Sequence, residues 1–263
     1  MIESDSNALR LAQAHFNRMD FAGTPATATM RAALSKLLVD LDANIGLSKF
    51  ARIVPFIGGT AATHALELFG NDITWGGTVT HDANGSRGNA STGTGTLPID
   101  ILNDLGTANS FSVYMNAITD TDDTYPMGAF VGTPSRRYYL GNIGPNCAFA
   151  PYIINFTTDY SPPNSESVAM IARFAAGSVT SGKVATAYFD GVAQTSGVAA
   201  TGSAPPSTHI GIFAIYNSDT TAFSNHTDAR FAFMHMGDEL TAGEHTSLYN
   251  AVEAYQVALS REN

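Results

Sequence analysis

Charge is what this sequence has least of. Charged residues occupy 14% of its 263 positions, against roughly a quarter in an average soluble protein. Lysine is confined to Lys36, Lys49 and Lys183, and the basic side chains are scattered apart from Arg136 and Arg137. With a formal net charge of −10, no stretch can neutralise a run of phosphates, so nucleic acid is not an expected partner. Cysteine occurs once, at Cys147. No internal disulfide is available, and nothing points to an oxidising compartment. No apolar run approaches the ~20 residues that span a bilayer, so membrane insertion is not expected. The opening Met1-Ile-Glu-Ser-Asp-Ser-Asn7 is acidic where a secretory leader is basic, so no export signal is expected either. Assembly in a cytoplasm fits.

In place of charge there is Thr, Ser, Ala, Gly and Asn, a mixture that suits short strands and tight turns better than long solvated helices. Residues 1–70 nevertheless read as helical. A loose segment covers Leu9 to Met19. Thr24 can then cap a helix with Pro25 in its first turn, where the missing N–H costs nothing. Leu34, Leu37, Leu38, Leu41 and Ile45 follow at helical spacing and Gly46 closes the run. A shorter helix is expected from Thr60 to Phe69, ended by Gly70.

From Trp75 onward short apolar stretches alternate with Gly, Pro, Asn and Asp. Period-2 patterning is visible in Phe111-Ser-Val-Tyr-Met-Asn116. Further strands are expected at Met127–Gly132, Arg137–Leu140, Ala148–Phe156, Ser167–Phe174, Val184–Phe189, His209–Tyr216 and Ala229–Met236. Asp190-Gly191 predicts a type I′ hairpin. Arg230-Phe-Ala-Phe-Met-His-Met236 is apolar on both alternating faces, which requires cover on both sides. Thr241 and Glu244 have capping-box spacing. They open a final helix, 241–259, whose apolar stripe is Leu248, Val252, Tyr255 and Leu259. The fold class this predicts is mainly β, a two-sheet sandwich in 71–263 preceded by a helical 1–70.

These residues resemble a family. The order runs Ser167-Val-Ala-Met-Ile-Ala-Arg-Phe174, Ala187-Tyr-Phe-Asp-Gly-Val192, His209-Ile-Gly-Ile-Phe-Ala-Ile-Tyr-Asn217 and Arg230-Phe-Ala-Phe-Met-His-Met-Gly-Asp238, then Leu-Thr-Ala-Gly-Glu-His and a helix. It is similar to the closing half of a concanavalin A-like lectin or laminin G-type jelly roll. With the helical start and the Gly88-Asn-Ala-Ser-Thr92 stretch, the whole resembles proteins of tailed-bacteriophage structural clusters. The resemblance implies an antiparallel two-sheet jelly roll. It also implies a virion structural protein, assembled in the host cytoplasm, in a tail fibre or tail tip with contact to a host-surface glycan. A capsid-surface decoration or a dedicated receptor-binding protein are the alternatives. Other virion proteins and further copies of the chain are the implied partners, with 1–70 as the attachment region.

Glycoside hydrolases on this fold set acidic residues at alternate positions of one strand, and no expected strand here carries such a set. Gly-x-Ser-x-Gly elbows, phosphate-binding glycine motifs and zinc-spaced Cys/His clusters are also missing, so no enzymatic activity is expected. Of the seven histidines, His235 is in phase with Phe231 and Phe233 and reads as a core residue. His245, on the first turn of the last helix, reads as a surface residue. His81, beside Asp82 and Asn84, reads as a loop residue and the best placed of the seven to be a ligand. Asp120, Asp122 and Asp123 can supply several of the six to eight oxygens that calcium needs, and suit a solvated hairpin tip equally well. For a sugar, an aromatic platform with directional polar partners is required. Tyr125, Tyr138, Tyr139, Tyr160, Tyr216 and Phe223 stand in or beside expected loops, with nothing in the sequence to single out a subset.

Overall fold

The computed structural model describes residues 3–117, 124–132, 135–143, 146–150, 174–181, 184–193, 198–199 and 206–261. Four α-helices are described, α1 (Glu3–Phe21), α2 (Ala28–Asn44), α3 (Ala61–Ala65) and α4 (Ala242–Ala258), with a short 3-10 helix at Leu47–Lys49 and a π-helix at Ile101–Leu105. The strands begin with β1 (Phe50–Val54), β2 (Thr74–Gly76), β3 (Thr80–Asp82), β4 (Gly85–Arg87), β5 (Thr94–Leu97), β6 (Asn109–Ala117), β7 (Thr124–Gly132), β8 (Ser135–Ile143) and β9 (Asn146–Ala150). They continue with β10 (Phe174–Val179), β11 (Val184–Phe189), β12 (Val192–Ala193), β13 (Val198–Ala199), β14 (Ile210–Ile212), β15 (Ile215–Asn217), β16 (Ala222–Ser224) and β17 (Arg230–Asp238).

They form two sheets. The first runs β12-β11-β10-β6-β17-β4-β3, with β1 also on β17 and β13 on β11. The second runs β16-β15-β7-β14-β5-β2, with β8 on β7 and β9 on β8. This is a mainly β, jelly-roll sandwich with helices at both ends of the chain. One described pairing departs from the antiparallel rule: β15 lies parallel to β7. Phe213, at φ 63°, reverses the chain between β14 and β15, so that both lie along the same edge of β7.

Phe111, Val113 and Met115 of β6 point between the sheets and meet Met127, Tyr138, Leu140, Ile212 and Phe231. The other face of β6 carries Ser110, Ser112 and Tyr114. That face of the first sheet is covered by the helices. Leu34, Leu37, Leu38 and Leu41 of α2 and Leu248, Val252 and Tyr255 of α4 form one cluster with Phe50, Ile53, Tyr114, Phe174 and Phe233. β17 is apolar on both faces because both are covered, as its sequence requires. A bulge between Phe231 and Phe233 alters the expected phase: Phe231 faces the inter-sheet core, whereas Phe233 and His235 face the helices.

The helix-capping chemistry is local and legible. Thr241 Oγ1 accepts from the Glu244 N–H at 3.3 Å, and Glu244 Oε2 accepts from the Thr241 N–H at 2.8 Å. The α2 start differs from expectation. Thr27, not Thr24, caps it, its hydroxyl accepting from the Met30 N–H at 3.2 Å. Gly46 does close the helix, with φ 92° and its N–H on Leu41 O at 3.0 Å. Asp190 and Gly191 both have positive φ, 48° and 76°, as a type I′ turn needs. Residues 1–70 are not helical throughout. Phe50–Val54 is a strand on β17, and the Thr60–Phe69 helix shrinks to Ala61–Ala65. The reason is Glu67, which folds inward and accepts from the N–H groups of Ile53, Phe69 and Asn71. The Leu9–Met19 segment lies within α1 and buries Ala12, Phe16 and Met19 against its own chain. Of the expected strands, Ala148–Phe156 is described only to Ala150, and Ser167–Phe174 lies outside the described residues except for Phe174, which opens β10.

Candidate functional site

The six aromatic residues singled out from sequence separate into three groups. Tyr138 is fully buried between the sheets, where its hydroxyl donates to Asn109 Oδ1 at 3.1 Å. Tyr125 and Tyr139 pack edge to face at 4.8 Å and share a small buried cluster with Ile215. Tyr160 lies outside the described residues. Tyr216 and Phe223 come together: β15 and β16 pair in register at these two positions, and the ring centroids are 5.2 Å apart at 55°. Both rings are partly exposed, and His209, exposed, stands 6.4 Å from Tyr216.

The result is an aromatic ledge on the edge strands of the second sheet. Its hairpin is held by Asn217, whose Oδ1 accepts from the Asp219 N–H at 2.9 Å and the Thr220 N–H at 3.4 Å. The neighbouring Ser218 N–H donates to Phe130 O at 3.0 Å and ties the turn to β7. Such a ledge offers π faces for stacking, with turn hydroxyls and amides beside them. His209 was missed because nothing local marks it. It reaches Tyr216 through the Phe213 reversal, at a residue that sequence does not distinguish from an ordinary strand position.

The histidines are placed differently from two of the three expectations. His235 is in the core, as expected, between Ser110 Oγ at 3.2 Å and Ser112 Oγ at 2.5 Å. His245 is buried, not on the surface. Its ring stacks on Tyr188 at 3.8 Å and 20°, and neither ring nitrogen has a hydrogen-bond partner. Burial pushes its pKa down to about 4, against an opposing pull from Glu244. The β11–β12 hairpin causes this by folding over the start of α4, where Thr246 Oγ1 donates to Gly191 O at 3.1 Å.

His81 is not in a loop but in β3, and it meets two residues that sequence reasoning did not connect with it. Ser86 Oγ lies 2.8 Å from His64 Nδ1 and 3.1 Å from His81 Nδ1, and the two Nδ1 atoms are 3.3 Å apart. The proton order follows from the backbone. Gly59 N–H donates to His64 Nε2 at 3.1 Å, so neutral His64 carries its proton on Nδ1. His64 Nδ1–H then points at Ser86 Oγ and lies 3.3 Å from His81 Nδ1, where a second N–H would repel it; the arrangement consistent with this has Ser86 Oγ–H donating to His81 Nδ1 and the His81 proton on Nε2. Burial lowers the His64 pKa to about 3, with the charge on His81 second and Arg261 third. The His81 pKa is also lowered by burial, with Asp82 pulling the other way. A metal-bound histidine presents a bare nitrogen to the ion and donates from the other; His64 is fixed the opposite way, so this triangle does not fit a metal.

Among the described residues no group of three or more His, Cys, Asp or Glu side chains is placed to hold a metal, and no helix is long and apolar enough to cross a membrane. Asp120, Asp122 and Asp123 lie outside the described residues.

No protein-family description and no curated protein matches the sequence. Solved structures do share the fold. Domain 4 of AbnA, a GH43 extracellular arabinanase of Geobacillus stearothermophilus in complex with arabinotriose, matches at 15% identity and a TM-score of 0.53, over 76% of this chain and 98% of that one. The binding domain of botulinum neurotoxin DC, in complex with rat synaptotagmin II, matches at 13% identity and a TM-score of 0.54, over 78% of this chain and 52% of that one. A Trypanosoma rangeli sialidase matches at 10% identity and a TM-score of 0.50, over 85% of this chain and 39% of that one. The match thus takes in about half the length of the toxin domain. At these identities the likeness is one of fold, and the fold is a jelly-roll sandwich.

Proposed function

We propose that this chain is a carbohydrate-binding jelly-roll protein of a bacteriophage particle, holding a neutral glycan on the Tyr216, Phe223 and His209 ledge. The ledge is the observation that carries the reading. Three rings sit side by side on an edge, partly exposed, where apolar side chains of this size would otherwise be buried. The net charge of −10 disfavours an acidic sugar. The AbnA domain of the same fold is in complex with arabinotriose, which supports the ligand class. Binding without hydrolysis is favoured because no described strand carries two carboxylates.

The virion part of the proposal rests on the motif order in the closing half of the sequence. A tail fibre or tail tip is the proposed location, with residues 1–70 attaching the sandwich to neighbouring virion proteins or to further copies of the chain. Phe21, at the end of α1, is 96% exposed and supports a contact surface there. Calcium at Asp120, Asp122 and Asp123 remains part of the proposal on sequence grounds; a melting temperature that rises with added calcium and falls with chelator supports it, and an unchanged one removes it.

The test of the ledge is a glycan array probed with the intact chain and with Tyr216→Ala. Binding to neutral glycans that disappears in the variant is the expected result. An array on which the intact chain binds nothing, or on which both bind alike, contradicts the reading.

A further inference from the structure

Trp75, the only tryptophan, lies in β2 on the edge of the second sheet, and His81 lies in β3 on the edge of the first. Their rings meet edge to face at 4.9 Å. The indole is fixed on several sides. Its Nε1–H donates to Ala61 O at 3.0 Å, and its ring is near parallel to Phe213, at 17°. Gly95 lies so close beneath it that a Cβ there would come within 2.7 Å of Cζ3. The ring nevertheless remains partly exposed. On His81, the relay from Gly59 through His64 and Ser86 occupies Nδ1 and leaves the proton on Nε2. No hydrogen bond to Nε2 is described, and His81 is half-buried rather than buried.

We propose that Trp75 and His81 form a second binding point for a neutral saccharide, the indole stacking on an apolar C–H face and His81 Nε2–H donating to a ring or hydroxyl oxygen. It shares the ligand class of the ledge but none of its residues. The physical case is pre-organisation. A ring held by neighbours and a donor held in one tautomer lose little freedom on binding, so a weak stack and a single hydrogen bond retain more of their gross energy. Ser86 and His64 are positioning residues here, since both act through His81. The alternative, that the cluster only closes the end of the sandwich, gives no reason for a half-buried imidazole of fixed tautomer beside a partly exposed indole.

Because Trp75 is the sole tryptophan, its fluorescence reports this point and not the ledge. The full chain is titrated with arabinotriose, lactose and maltotriose. A saturable change in Trp75 emission with at least one of them is expected, weakened about tenfold in His81→Ala. Ser86→Ala, which keeps His81, should weaken it about threefold. In that variant the nitrogen-15 NMR signals of His81 should change from a single Nε2–H tautomer to a mixture, a change that loss of packing alone would not cause. Tyr216→Ala should leave the Trp75 response unchanged while removing the array signal, which separates failure of one site from failure of the other. Trp75 emission that responds to none of the three sugars, or a response undiminished in folded His81→Ala, overturns the proposal.

Discussion

The two sheets differ in what lies on their outer faces. The first is covered by the helix layer of α1, α2 and α4, and beneath it Tyr114, Phe174, Phe233 and His235 are all buried. On the second, the described helix contact is that of the short α3 with β2 at one edge, and at the other edge stands the half-open pair Tyr216 and Phe223. The covered face has the residues of a core: β17 is apolar on both sides, and the hydroxyls of Ser110 and Ser112 on β6 hydrogen-bond the buried His235. The uncovered edge keeps large aromatic rings where stability does not require them. Stability thus belongs to the first sheet's outer face, and the proposed glycan ledge to the second sheet's edge.

The largest effect expected from this division is on acid stability. His15 on α1 and His245 on α4 are both buried, with pKa values lowered from 6.5 to about 4 chiefly by burial, and burial lowers that of His64 to about 3. Between those values the unfolded chain carries a proton that the folded chain does not, so stability falls as pH drops from about 6.5 toward 4 and is unaffected by these groups above that window. Each contributes about 3 kcal/mol to the loss at the bottom of the window. Denaturant melts at a series of pH values should show the fall. His245→Phe, which keeps a ring on Tyr188 and removes one of these titrations, should reduce the fall by about 3 kcal/mol and leave the rest in place.

Next in size is Val252→Asp. Val252 is fully buried in the helix layer, and a carboxylate there has no described partner, so the cost is about 4 kcal/mol and roughly 10 °C in melting temperature. An unchanged melting temperature would mean that the α4 stripe is not a core and would break the comparison at its stable end. Smaller again is Ser112→Ala, which takes the partner from His235 Nδ1. About 1–2 kcal/mol is expected, read from urea midpoints.

Much of the stable region was legible in the sequence because its determinants are local. The Thr241/Glu244 box, the Asp190-Gly191 turn, the α2 leucines and the two-faced β17 each announce themselves within a few residues. Other features depend on partners far along the chain. Phe50–Val54 is five residues long and becomes a strand because β17 offers it an edge. His245 is buried because a hairpin more than fifty positions earlier closes over it, and the β17 bulge moves Phe231 to the opposite face from Phe233. The proposed ledge was half legible. Tyr216 and Phe223 stood among the candidates, and the Asn217 turn that pairs them has ordinary turn chemistry. His209 and the His64, Ser86 and His81 relay were not legible, since each depends on a reversal or a loop closure without a sequence signature.

The smallest expected change in stability belongs to the ledge itself, and there the change in function should be greatest. The direct measurement is calorimetric titration of the best neutral glycan from the array into the intact chain and into Tyr216→Ala combined with Phe223→Ala, with melting curves taken alongside. The account predicts that the double substitution weakens binding at least about tenfold while costing no more than about 1–2 kcal/mol of stability. Unchanged affinity in the folded double variant would contradict it.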